Sequence, residues 1–318
     1  MNVRRRLISA TAVSAATALG LGALSACSSD SAASGNTDKF DVVASFYPMA
    51  FLAEQIGGDH ANVTSLTEPG QEPHDLEIST RQRAQLEEAD AALYLKGLQP
   101  AVDEAVSQTG IKTKIDAAAL TTLEDHGGTE HAHEGEEGHS EEEEHARDPH
   151  IWLDPVKYAE VAQGVGKAFE KADPDHAADY KKNTAALVQK LNGLNSTFEN
   201  GLKDTKTKVF FTNHAAFGYL AERYGLTQEA ISGLDPESEP SAARVRELQQ
   251  EARADGVTTV FYETLVSDKT ARTLARDAKL KTDVLDPLEG ITDKSRGDDY
   301  FQVMEANLKA LQAALGAK

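Results

Sequence analysis

The chain reads as an α/β protein of two lobes, each a mostly parallel sheet flanked by helices, joined by one long rigid helix. Three observations predict this. Short β-branched runs alternate with helical patterns at βαβ spacing from residue 40 to residue 117. The same alternation begins again at residue 209. Between the two, Tyr180, Leu187, Leu191, Leu194, Phe198 and Leu202 step by 7, 4, 3, 4 and 4, which sets them on one helical face.

In chain order, Arg4, Arg5 and Arg6 precede an apolar, small-residue run that ends in Leu24-Ser25-Ala26-Cys27. That is the layout of a signal peptide over residues 1–26 and lies outside fold reasoning. Cys27 is the only cysteine, so neither an intrachain disulfide nor a Cys-based zinc site is available. Residues 27–38 then form a polar tether.

The first lobe is expected over residues 39–172. It has strands at 40–46, 63–66, 91–95 and 114–117, and helices at 47–56 and 78–89. Glu68-Pro69-Gly70-Gln71-Glu72-Pro73-His74 is a loop with His74 at its end. Asp154-Pro155 pairs an N-cap with proline at the first helical position, so a helix runs over 156–171. The linking helix occupies about thirty residues within 173–203 and spans roughly 45 Å. The second lobe, 204–318, carries strands at 209–212, 227–231, 258–262 and 283–285, and helices at 215–224, 241–255, 269–278 and 300–315.

The segment 121–147 is longer than a compact domain tolerates without a purpose. Within it, His126, His131, His133, His139 and His145 lie among ten carboxylates with no Lys or Arg before residue 147. Such a stretch has too little apolar surface to fold alone, and its imidazoles and carboxylates suit auxiliary binding of divalent cations. The net charge of −20, from 32 basic and 52 acidic residues, argues against nucleic acid and favours cations as partners.

Chemistry-bearing residues cluster at strand exits, where α/β sheets bind ligands: His74, His214, Glu263 and Asp286, with His150 on a proline-stiffened approach to the helix at 156. Imidazole and carboxylate donors in a set of four suit Zn²⁺, although spacings of 76 and 64 residues match no local zinc motif. Trp152 is expected in the core between the first lobe and the long helix, and His60 and His176 at the surface.

The stretches SFYP (45–48), EPHDLE (72–77), DPHIWLDP (148–155), TNHAAFGYLAERYGL (212–226) and LDPLEG (285–290) occur in that order. Together they resemble the zinc-binding solute receptors of bacterial metal ABC importers. The resemblance implies the metal site between the lobes, with His74, His150, His214 and Asp286 as ligands and Glu263 as rival or as a group orienting a histidine. It also implies lipidation of Cys27 on the outer face of the cell membrane, an ABC permease as partner, and a monomer, with a zinc chaperone as a further candidate partner. Manganese receptors of this kind carry a carboxylate where His214 stands, so His214 points to zinc. The alternatives are a receptor for manganese or another divalent metal, a zinc buffer or cell-adhesion protein without transport, and, from a different class, a zinc hydrolase.

Overall fold

The structure is a computed structural model that describes residues 39–126 and 147–317. In the first half, β1 (Phe40–Ala44), β2 (Ala61–Ser65), β3 (Ala91–Tyr94) and β4 (Thr113–Asp116) form a sheet of order β2-β1-β3-β4. In the second, β5 (Val209–Thr212), β6 (Thr227–Ala230), β7 (Thr259–Tyr262) and β8 (Lys281–Val284) repeat the pattern as β6-β5-β7-β8. Every described pairing is parallel, so "mostly parallel" becomes wholly parallel among these strands. Parallel sheets need cover on both faces, and the burial of all but one residue of β1 fits that requirement.

Helices α1 (Tyr47–Gly57), α2 (Thr80–Glu88) and α3 (Pro100–Gln108) serve the first sheet. Ser79 and Gln82 close a capping box at the start of α2, and Asp154 caps α4 (Pro155–Ala172) by accepting from the Val156 N–H, as its Asp-Pro step predicts. α3 has no counterpart among the helices expected from the sequence. Its apolar positions Val102, Ala105 and Val106 have helical spacing, but the element is nine residues long and buries only these three side chains.

The long helix α5 (Ala177–Leu202) runs for 26 residues, about 39 Å. It begins later than expected because Pro174–His176 form a 3₁₀ turn. All six side chains of the predicted stripe are buried. A Cβ on Gly166 would stand 2.2 Å from Thr184 Oγ1, so that glycine lets α4 and α5 approach closely. α5 packs against α1 and α4 of the first half and against α9 (Tyr300–Leu315) of the second.

The remaining helices are α6 (Gly218–Arg223), α7 (Ala242–Ala254) and α8 (Lys269–Ala278). α6 is shorter than the sequence pattern suggests: Ala215, Ala216 and Phe217 are buried but not helical.

The halves share one core. The inner sheet faces meet α1, α4, α5 and α9 in a single apolar cluster, and the outer faces have separate cores beneath α2 and α3 and beneath α7 and α8. Phe51 of α1 and Tyr158 of α4 pack on the Tyr300 ring of α9 at 5.4 and 4.9 Å. Trp152 is fully buried here, its ring edge-on to Phe46 at 5.0 Å. His60 and His176 are not simply surface residues. They stack on each other at 4.1 Å, each against an aspartate.

Candidate metal centre

Each histidine reaches the centre from a backbone that local hydrogen bonds hold in place. His74 ends the loop after β2, where the Glu72 carboxylate accepts from the His74 and Asp75 N–H groups at 3.0 and 3.2 Å. Asp148 accepts from the His150 backbone N–H at 2.9 Å and meets its Nδ1 at 2.7 Å. His214 follows β5, and Glu263 follows the neighbouring strand β7. The order β6-β5-β7-β8 makes that strand pair the switch point of the sheet, where ligands bind. There His214 Nδ1 meets Glu263 Oε1 at 2.7 Å, and Asn213 Nδ2 donates to the same oxygen at 3.0 Å.

The carboxylate that the structure brings to these histidines is Glu289, not Asp286. Glu289 Oε1 stands 3.3 Å from His74 Nε2, 3.4 Å from His150 Nε2 and 3.4 Å from His214 Nε2. One donor atom from each of the four lies within 4.8 Å of the others. Zinc bonds to nitrogen and oxygen are about 2.0–2.1 Å, so ligands at tetrahedral corners stand about 3.3–3.4 Å apart. The three measured separations match that edge.

Asp286 has another task. Its Oδ1 accepts from the Leu288 N–H at 2.8 Å, and Asn307 clasps its backbone N–H and C=O at 2.9 and 2.7 Å. The Trp152 indole donates to the Pro287 carbonyl at 2.7 Å. These bonds hold Leu288 at φ 60°, a left-handed conformation rare for a branched residue, and this turn presents Glu289. Glu289 lay within the quoted LDPLEG motif. Glu289 lies five positions beyond β8 and carries no strand-exit signal, whereas Asp286 is the carboxylate that the resemblance of LDPLEG implies.

Both His150 and His214 have Nδ1 committed to a carboxylate, which fixes the ring and leaves Nε2 to face the centre. Their Nε2 atoms and Glu289 Oε2 are buried without a hydrogen-bond partner. Glu263 meets Nδ1 of His214 and is not among the four groups gathered at the centre.

Charge is balanced inside the cluster. Burial pushes His150 down, but Asp148 and Glu289 outweigh it and hold the imidazole above its usual range. Burial likewise opposes protonation of His214, yet Glu263 and Glu289 raise it well above that range. Glu289 is buried, which favours the neutral acid, but the three histidines around it keep it well below the usual carboxylate range. Asp286 lacks such partners: burial, with repulsion from Glu289 and Glu263, pushes it up to about 6 against the Leu288 hydrogen bond.

Of the histidine-rich segment, His126 is described and belongs to a different group, with Glu124 and Glu222. His131, His133, His139, His145 and Cys27 lie outside the described residues.

A family profile described as ZnuA, zinc-uptake complex component A, periplasmic, matches residues 42–314. The zinc-binding lipoprotein AdcA of Streptococcus pneumoniae is 38% identical over 299 residues, covering 91% of this chain and 58% of AdcA. The chain therefore spans less than three fifths of that relative's length. The high-affinity zinc uptake system protein ZnuA of Bacillus subtilis is 34% identical over 315 residues, covering 94% of this chain and 98% of its own length. The crystal structure of the Zn(II)-bound ZnuA-like domain of Streptococcus pneumoniae AdcA superposes with a TM-score of 0.71 at 35% identity, over 87% of this chain and 99% of that one. These relatives are named for zinc binding or zinc uptake, and none is named as an enzyme. With two like parallel-sheet halves, a linking helix, a three-histidine, one-carboxylate centre and a profile match across nearly all described residues, the chain belongs to the ZnuA family of zinc-uptake components.

Proposed function

We propose that the protein captures Zn²⁺ outside the cytoplasmic membrane through His74, His150, His214 and Glu289 and passes it to an ABC-type membrane permease. The observation that carries this reading is the set of Nε2 atoms 3.3–3.4 Å from one carboxylate oxygen. Three nitrogens and one oxygen favour zinc over manganese, which prefers oxygen. Capture exchanges protons for metal: the imidazoles of His150 and His214 lose theirs as the cation arrives, and Glu289 supplies half the compensating charge. Residues 1–26 serve as signal, Cys27 as lipid anchor, and 27–38 as tether. The lobes are 39–172 and 204–318, with the linking segment 173–203 carrying α5. His131, His133, His139 and His145 gather zinc near the membrane.

The hydrolase alternative needs an open position for water. Four protein donors gathered within 4.8 Å of one another would fill a four-coordinate zinc shell and leave no such position. The test is metal analysis of the purified mature protein after zinc and manganese competition, repeated with His214→Ala. One zinc per buried site, lost in the variant, supports the reading, and manganese retained in preference refutes it. Impaired growth of a deletion strain under zinc starvation supports transport, whereas normal growth leaves a zinc buffer or adhesion protein.

A further inference from the structure

Beside the buried centre lies a second arrangement of the same chemistry. His126 Nδ1 meets Asp148 Oδ2 at 3.0 Å, and its Nε2 faces Glu222 Oε2 at 2.9 Å and Glu124 Oε2 at 3.9 Å. A carboxylate thus fixes one ring nitrogen while the other is turned toward acceptors, as with His150 and His214. Two carboxylates cannot both face an imidazole lone pair without a cation or a second ring proton between them.

The surroundings hold this arrangement in place. Both roots of segment 127–146 are tied together: the Asp148 N–H donates to the Glu124 carbonyl at 3.0 Å, and Tyr219 Oη accepts from the Glu124 N–H and donates to the Asp148 carbonyl, each at 2.8 Å. The Tyr219 ring stands edge-on to His126 at 4.4 Å. A Cβ on Gly218 would lie 2.4 Å from His126 Cβ and 2.9 Å from Asp148 Oδ2, so only glycine leaves room for this packing. Lys157 Nζ binds Glu124 Oε1 at 2.6 Å and leaves Oε2 for the cluster. Glu222 is 60% exposed, so the site opens to solvent, unlike the centre behind it.

We propose that Glu124, His126 and Glu222 form a second, solvent-facing site for a divalent cation, suited to Zn²⁺, and that Asp148 couples it to the buried centre. Asp148 does so by holding both imidazoles, His126 through Oδ2 and His150 through Oδ1. Three carboxylates against the Lys157 ammonium leave a formal charge of −2, which a divalent ion neutralises. Glu222 stands on α6, a helix of the second half, whereas Glu124 and His126 precede segment 127–146. An ion here would pin Glu124 and His126 against α6, next to the buried centre.

The experiment is a zinc titration of the mature full chain carrying His131→Asn, His133→Asn, His139→Asn and His145→Asn, which leaves His126 as the segment's only imidazole. Crystals of the same protein soaked in zinc and recorded across the zinc absorption edge locate the ions. Two zinc ions per chain are expected, one anomalous peak among His74, His150, His214 and Glu289 and one among Glu124, His126 and Glu222. Adding Glu222→Gln should remove the second peak and keep the first. A first peak alone in the chain with Glu222 intact overturns the second site and means that an imidazolium bridges the carboxylates. Absence of both peaks overturns the proposed function as well.

Discussion

Glu289→Gln and Asp286→Asn are near-isosteric changes that separate the two carboxylates of the 285–290 turn. Glu289 Oε1 lies 3.3–3.4 Å from three Nε2 atoms, and its side chain is fully buried. A group that merely orients a ligand changes metal affinity ten- to a hundredfold. Replacing the only anionic group at the centre by a neutral amide should exceed that range. The expected loss for Glu289→Gln is more than a hundredfold, or at least about 2.7 kcal/mol. Asp286→Asn keeps an amide oxygen for the Leu288 N–H, and the Asn307 clasp uses only backbone atoms of residue 286. Its cost is that of weakening the hydrogen bonds its carboxylate accepts from the Leu288 N–H and the Thr264 hydroxyl, about 0.5–1.5 kcal/mol each, and it falls on the turn rather than on a group facing the three Nε2 atoms, so the loss of zinc affinity should stay well below that of Glu289→Gln. Competition with a fluorescent zinc chelator at pH 7.5 measures both. An Asp286→Asn loss as large as that of Glu289→Gln would refute the assignment and restore Asp286 as ligand.

Glu263→Gln should weaken zinc about ten- to a hundredfold in the same competition, through the ring orientation of His214, and unchanged affinity would remove its orienting role. Zinc affinity should decline on acidification from above the ordinary imidazole value near 6.5, because His150 and His214 are both raised. A flat profile from pH 8 to pH 5 would contradict the histidine set. In the metal-free protein, groups raised on folding contribute stability that is complete below about pH 6.5 and is lost as pH rises through their folded values. Glu289, depressed on folding, contributes stability present above about pH 4.3 and lost as pH falls through its folded value. Calorimetry should therefore show the metal-free melting temperature falling as pH rises above about 6.5, with the zinc-loaded protein largely spared. Gly166→Ala should cost about 1–3 kcal/mol, seen as a lower melting temperature, since its Cβ would collide with Thr184 across the α4–α5 contact.

What could be read from the sequence was what a local pattern encodes. The α5 stripe from Tyr180 to Leu202 has a helical period, and all of it is buried. Asp154-Pro155 announces a cap, and the cap forms. His150 and His214 stood out because prolines or a strand exit fixed them. Glu289 was hidden because its position depends on nonlocal partners: Asn307 on α9, and Trp152 from 135 residues earlier. The Asp148 bridge between His126 and His150 was hidden for a similar reason. Its two oxygens serve residues on opposite sides of segment 127–146, and nothing in the spacing says that they meet.

With zinc held as proposed by His74, His150, His214 and Glu289, the packing around the centre favours one route of exchange. His150 and His214 are sealed by the shared core, and the turn bearing Glu289 is tied to that core through Trp152 and α9. Parting the halves as rigid bodies would expose the contacts of Phe51 and Tyr158 with Tyr300 along with the α5 stripe. Fully burying a single large apolar side chain contributes about 1.5–3 kcal/mol, so separating several costs more than a marginally stable protein can lose. His74 differs from the other ligands. Its side chain retains 11% exposure, and it stands on a loop rich in proline and glycine, held mainly by the Glu72 clasp. Moving that loop opens one corner of the tetrahedron and leaves the other three donors in register, so exchange through His74 is the route that costs the fold least.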